Sequence, residues 1–142
     1  MSGNAPLGNR DEVYGIVAML VNCTSLTELD ISQNEISPQS MEQLAPVLSL
    51  LTSLTRFSIQ ENKLGIPGLF SLEKAVRVWP HLTDLNLCSV VRGKYDVGRS
   101  VAAILRVGTS LQKLNANENN IVKKGIRSIA HALSEHSTLT EL

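Results

Sequence analysis

The sequence contains few residues that could carry chemistry. It has two cysteines, Cys23 and Cys88, which lie 65 residues apart without a CxxC pair, and aromatic residues make up only 4% of the 142-residue chain. This spacing argues against a zinc site and against a disulfide framework. The histidines, His81, His131 and His136, have no serine, cysteine or carboxylate in a triad-like relation to them. We therefore predict no catalytic, cofactor-binding or metal-binding residues, and no enzyme.

The chain also lacks an excess of one charge and a long hydrophobic run. Its 13 basic residues are balanced by 13 acidic residues, so the net charge does not indicate nucleic acid or a membrane surface as a partner. No apolar run reaches the ~18 residues of a spanning helix, and no leader pattern opens the chain. We expect a soluble, cytoplasmic protein. The charge shifts along the chain, because residues 1–80 hold 5 basic and 8 acidic residues whereas residues 81–142 hold 8 and 5.

An internal repeat dominates what is present. A sequence motif that begins at Leu26 recurs at Leu54, Leu82, Leu111 and Leu139, so that the first leucines of successive copies are 28, 28, 29 and 28 residues apart. A period in this range indicates a solenoid, in which each unit buries its core against its neighbours. The predicted units are a half repeat 7–25, full repeats 26–53, 54–81, 82–110 and 111–138, and a truncated repeat 139–142.

The last unit would leave a core strand uncovered. We therefore interpret the chain as a fragment of a longer protein, and we expect the isolated fragment to self-associate end to end, because open strand edges recruit other chains.

Each repeat changes from strand periodicity to helix periodicity. Apolar residues alternate after the first leucine, as in a half-buried strand, and then follow helical spacing. The helical columns predicted to pack against the strands are Leu20, Leu48, Val76, Leu105 and Leu133; Ile16, Leu44, Leu72, Val101 and Ile129; and Val13, Met41, Leu69, Gly98 and Ile126. Trp79, at the corner between helix and strand, is predicted to be a core residue. The predicted fold is an α/β solenoid, a right-handed horseshoe segment with parallel strands on the concave face and helices on the convex face.

These residues resemble the leucine-rich repeat family. The pattern LxxLxLxxN/CxL and the closing phrase Asn22-Cys23-Thr24-Ser25-Leu26 are similar to its ribonuclease-inhibitor-like class, whose repeats have 28–29 residues, and the resemblance covers about residues 7–142. It implies a non-catalytic scaffold that binds a protein partner. The alternative is a regulatory repeat region of a larger GTPase-activating, nucleotide-binding innate-immune-type or tropomodulin-like actin-capping protein, all of which the class includes.

Three asparagines recur where the chain leaves a strand. Asn34, Asn62 and Asn119 each lie eight residues after the first leucine of their repeat. An amide side chain there can bond to loop backbone groups that have no partner in the sheet. We interpret these asparagines as a structural ladder between the loops.

The third repeat departs from this pattern. Val90 replaces the asparagine, and the loop that follows contains the extra residue of the 29-residue unit. Loop insertions are where binding is often added to a regular scaffold. Arg92, Lys94 and Tyr95 in this loop are therefore candidate protein contacts, with a drifted, solvated loop as the alternative interpretation.

The concave face is the other candidate contact surface. One outward column reads Glu28, Arg56, Asp84, Lys113 and Glu141, with alternating sign. On parallel strands ~4.8 Å apart such a column forms a ladder of ion pairs. Arg56, Asp84 and Lys113 are candidate contacts, but the face carries no aromatic or arginine cluster of the kind that dominates interfaces.

Overall fold

The computed structural model describes residues 10–142, in which helices alternate with short strands. The elements are α1 (Arg10–Leu20), β1 (Glu28–Asp30), α2 (Pro38–Leu48), β2 (Arg56–Ser58), α3 (Gly65–Val76), β3 (Asp84–Asn86), α4 (Gly98–Val107), β4 (Lys113–Asn115) and α5 (Lys123–Glu135). One strand and one helix thus follow each first leucine from Leu26 to Leu111. Residues 7–9, with which the predicted half repeat begins, lie outside the described residues.

The strands form a single parallel sheet in the order β1-β2-β3-β4. Glu28 pairs with Arg56, Arg56 with Asp84, and Asp84 with Lys113, so that paired residues are 28, 28 and 29 positions apart. An isolated bridge between Lys113 and Glu141 continues the series. This topology confirms the predicted α/β solenoid with parallel strands.

The core lies between the sheet and the helices. The first leucines of the middle repeats, Leu54, Leu82 and Leu111, are fully buried, as are the central apolar residues of α2, α3 and α4. Most of the predicted helical columns are buried or partly buried against this core. Trp79 is also buried: its Nε1 donates to the Leu48 carbonyl at 2.8 Å, and its ring packs edge-on against Phe57 at 5.1 Å between centroids.

The prediction for Ile126 is wrong. This side chain is 57% exposed, whereas Gly125 is buried against α4. A Cβ on Gly98 would collide with the backbone of Gly125, so these two glycines allow α4 and α5 to approach closely. Ile126 is one position, about 100°, further around α5, and its side chain therefore points away from α4.

The loop asparagines join successive repeats. Asn62 is fully buried, and its Oδ1 accepts the N–H groups of Asn34 (3.1 Å) and Ile36 (2.9 Å) from the preceding loop. Its Nδ2 donates to the carbonyls of Ile31 (3.0 Å) and Ile59 (2.8 Å), one in each repeat. One side chain therefore satisfies backbone groups of two units.

Asn119 repeats this arrangement for the irregular unit. Its Oδ1 accepts the N–H groups of Val90 (3.1 Å) and Val91 (3.0 Å), and its Nδ2 donates to the carbonyls of Leu87 and Ala116. The turn keeps its backbone shape even in the third repeat, where Val90 replaces the asparagine. In all four repeats the residue immediately before the asparagine or Val90 has a positive φ of 53–58°. These left-handed residues are Gln33, Glu61, Ser89 and Glu118.

The side chain of Asn34 forms a hydrogen bond through its Nδ2 only. Its Nδ2 donates to the Ser32 carbonyl at 2.8 Å. Its Oδ1 is buried and has no partner among the residues that the structure describes. The three asparagines therefore contribute unequally to stability.

We predict that Asn62→Ala lowers the free energy of unfolding by about 3 kcal/mol, and Asn34→Ala by only about 1 kcal/mol, because the first substitution leaves two buried N–H groups without an acceptor. Chemical denaturation of both variants measures the difference. Asn117→Ala, at an exposed concave position, is the control and should be within about 0.5 kcal/mol of the native chain. Equal losses for Asn62 and Asn34 would contradict the ladder.

Candidate protein-interaction surfaces

The charged column on the concave face forms much of the predicted ladder. Arg56 lies 3.7 Å from the carboxylates of both Glu28 and Asp84, and Lys113 lies 2.9 Å from Glu141. The hydrogen bond to Glu141 is the main cause that raises the pKa of Lys113, and the charge of that carboxylate is the second. Four of these side chains are more than half exposed and Asp84 is 36% exposed, so each pair adds little stability.

The other concave columns are polar and bond mainly to one another. The hydroxyl groups of Ser32 and Ser58 lie 2.8 Å apart, and Asn86 Nδ2 donates to Gln60 Oε1 at 2.9 Å. Gln33 Nε2 donates to Glu61 Oε1 at 3.1 Å. A partner that docks here must break these bonds or accept water between the surfaces. The concave face is therefore a weak candidate for the main contact.

Cys88 belongs to this face but is not an activated thiol. Burial raises the pKa of Cys88, and the carboxylates of Glu118 and Glu61 raise it further. The thiolate, which is the nucleophile, is thus less populated near neutral pH than in an ordinary cysteine.

The loop of the third repeat forms a second, separate surface. Arg92, Lys94 and Tyr95 are exposed, and Tyr95 is 71% accessible. The loop is held at both ends, because Val91 N–H donates to Asn119 Oδ1 and Val97 N–H donates to the Asn120 carbonyl. The structure therefore presents these three predicted residues together, on a loop with fixed ends.

Sequence reasoning missed Asp96, which anchors this loop. Its Oδ1 accepts the N–H groups of Gly98 at 3.0 Å and of Val122 at 3.3 Å, and so it bridges the starts of α4 and α5. An aspartate two residues before a glycine that opens a helix is a recognisable turn signal. The missing information was the contact with α5, which depends on how the helices pack.

Arg92 extends a second row of charges. The Lys63 ammonium lies 2.8 Å from Glu35, and this hydrogen bond, followed by the Lys63 charge, lowers the pKa of Glu35. Arg92 contributes a smaller lowering effect to the same pKa. This carboxylate therefore stays ionised, and Lys63 rather than Arg92 neutralises it.

The ring of His136 has a structural role at the corner between α5 and the end of the chain. The His136 ring bridges the Gly108 carbonyl at 2.9 Å and the Leu139 N–H at 3.3 Å. Within residues 10–142, no three histidine, cysteine or acidic side chains are grouped so that they could hold a metal ion. None of the helices in that range has the length and hydrophobicity to cross a membrane.

Comparisons with known proteins agree with the fold. The family model described as Leucine Rich repeat matches residues 22–45. The C-terminal domain of tropomodulin from Caenorhabditis elegans superimposes with a TM-score of 0.70 over 91% of this chain and 80% of that chain, at 18% identity. A structure of leiomodin-1 actin-binding site 2 gives a TM-score of 0.69 over 93% and 76%, at 16% identity. The chain therefore has the fold of a leucine-rich repeat solenoid.

Sequence similarity points to the same group of proteins. Tropomodulin-4 of Bos taurus is 36% identical over 79 residues, which is 56% of this chain and 23% of that protein. The human and mouse proteins of the same name are 33% and 34% identical over 79 residues. The matched stretch thus spans about a quarter of the length of these relatives.

We predict that Glu118→Gln makes Cys88 react about twofold faster with iodoacetamide at pH 8 and low salt. Removing a nearby negative charge lowers the thiol pKa and increases the thiolate fraction. Mass spectrometry of the two alkylated cysteines measures the effect, with Cys23 as the internal reference. The gain should shrink at high ionic strength. A rate ratio unchanged by the substitution would contradict the electrostatic contribution.

Proposed function

We propose that the chain is a non-catalytic protein-binding module whose main contact surface is the loop of the third repeat. The observation that supports this is the exposure of Arg92, Lys94 and Tyr95 on a loop whose ends are held by Asn119 and Asn120. Arginine and tyrosine are enriched among residues that dominate binding energy. A held loop also loses less conformational entropy on binding than a free one.

The concave face supports this assignment by contrast. Arg56 and Lys113 already pair with carboxylates, and their polar neighbours bond to one another. A partner that displaces these contacts gains only the difference between old and new interactions. The loop residues carry no such competing ion pairs among the described residues.

The proposed biological setting is the cytoplasmic actin cytoskeleton. It is supported by the similarity to tropomodulin-4 and by the fold shared with actin-binding site 2 of leiomodin-1. In this proposal the repeats are the part of a tropomodulin-like protein that contacts actin. The similarity to these repeat domains supports a binding role without catalysis.

The loop assignment predicts the outcome of a pull-down with the native partner. Arg92→Ala, Lys94→Ala and Tyr95→Ala combined should reduce capture at least about tenfold, because charge and aromatic area are lost together. A matched concave variant, Arg56→Ala with Lys113→Ala, removes the same two positive charges and should reduce it less than about threefold. If the loop variant binds normally while the concave variant does not, the concave strands are the contact surface.

The actin proposal predicts co-sedimentation of the chain with actin filaments. The bound fraction should fall with rising salt, because exposed basic residues contribute to the contact. The loop variant should co-sediment less than the concave variant. Circular dichroism of each variant confirms that it is folded. A native chain that stays in the supernatant at low salt would contradict the actin proposal while leaving the protein-binding role open to other partners.

A further inference from the structure

The basic side chains that the structure describes fall into three groups. Five of them form ion pairs, namely Arg56, Lys63, Arg77, Arg106 and Lys113. Lys74 lies over the Phe70 ring, 4.7 Å from its centroid. Six exposed basic residues have no carboxylate within ion-pair distance among the described residues: Arg92, Lys94, Arg99, Lys123, Lys124 and Arg127. We call these six residues the basic rim.

The basic rim is one surface, although its residues come from two repeats. The loop before α4 runs beside the segment that opens α5, since Val97 N–H donates to the Asn120 carbonyl at 3.0 Å. Asp96 reaches the Val122 N–H, and Gly98 lies against Gly125. Segments 92–99 and 120–127 contain six basic residues and one acidic residue, Asp96. Like charges are thus concentrated in a chain whose total charge is zero.

This concentration is unfavourable in the isolated chain. Neither α4 nor α5 has an acidic residue in its first turn or a side-chain cap at its N-terminus. Arg99, Lys123 and Lys124 instead add positive charge near helix ends that are already positive. Asp96 offsets part of this repulsion through its bonds to Gly98 and Val122. A negatively charged partner would relieve the remainder.

Apolar side chains lie among the cations. Val122, immediately before α5, and Ile126, in its first turn, are 45% and 57% exposed, and the Ile126 N–H donates to the Val122 carbonyl at 2.9 Å. Tyr95 is exposed on the adjoining loop. The surface therefore offers both positive charge and a short apolar stripe.

We propose that the basic rim and the Val122–Ile126 stripe bind an acidic amphipathic segment of a partner protein. This inference rests on the proposed protein-binding function and names the partner's chemistry. Aspartate and glutamate side chains would face the six cations, and aliphatic side chains at i and i+4 would cover Val122 and Ile126, as when an amphipathic helix binds through its apolar face. Such charge complementarity chiefly sets association rate and specificity.

The apolar stripe favours a protein segment over a polyanion. Nucleic acids bind basic surfaces through phosphates and do not require aliphatic side chains. A duplex would therefore use the cations and leave Val122 and Ile126 without a role. Anionic membranes offer both charge and hydrocarbon, and so they form a separate arm of the test.

The test uses a fluorescent synthetic helix of about 20 residues, with glutamate on one face and leucine at i, i+4 spacing on the other. Its binding to the full chain is followed by anisotropy at low and moderate salt. Lys123→Gln, Lys124→Gln and Arg127→Gln combined should weaken binding at least about tenfold. The matched control, Lys63→Gln, Arg77→Gln and Lys113→Gln, removes the same charge from paired residues and should weaken it less than about twofold.

A second variant tests the apolar stripe. Ile126→Ser should weaken binding about threefold or more, with an unchanged salt dependence, because it removes apolar area and no charge. Thermal melts verify that all variants are folded. The rim variant should melt no lower than the native chain, since it removes cations from a helix start.

Several results would overturn the inference. They are no peptide binding to the native chain at low salt, equal loss in the rim and control variants, or tighter binding of duplex DNA or phosphatidylserine vesicles with no effect of Ile126→Ser. The proposed function fails separately, if the Arg92, Lys94 and Tyr95 variant co-sediments with actin filaments as well as the native chain does. The two failures are measured on different variants with different probes, and they can therefore be distinguished.

Discussion

Backbone groups at the end of each strand must be satisfied by the neighbouring repeat, and this constraint shapes the rest of the molecule. A three-residue strand uses few sheet hydrogen bonds, and the chain then turns inward through a residue with positive φ. Asn62 satisfies the turn by bonding to backbone groups of two repeats while fully buried. Each unit is therefore incomplete without the next, and stability is shared along the solenoid.

The same constraint explains why the third repeat differs at its surface while keeping its turn. Val90 has no side-chain amide, but its backbone N–H donates to the side chain of Asn119 in the following unit. The turn thus survives, and the additional residue is accommodated further along, between Val91 and Val97. Exposed Arg92, Lys94 and Tyr95 lie there because the two ends of this segment are held while its middle is not packed.

The concave face and the basic rim differ in their local charge, and this difference affects what each surface can bind. On the concave face, residues of opposite sign alternate between strands and largely neutralise each other. At the helix starts of the last two repeats, six cations collect around one bridging carboxylate, that of Asp96. A neutral chain can therefore carry a locally positive surface, which is the property relevant to recognition.

The sequence by itself determined the parallel sheet and the core columns other than at Ile126, because each depends on a spacing that recurs four times. Residues at the same position of successive repeats lie on neighbouring strands, ~4.8 Å apart. Only the tertiary structure decided how α5 packs. The contact between Gly98 and Gly125 turns Ile126 outward, and it brings Asp96 to the Val122 N–H. That contact depends on the distance and rotation between two helices, which a one-residue insertion changes and which no local pattern records. The gathering of the unpaired cations follows from the same packing, since residues 28 or 29 positions apart become neighbours only when the helices lie side by side.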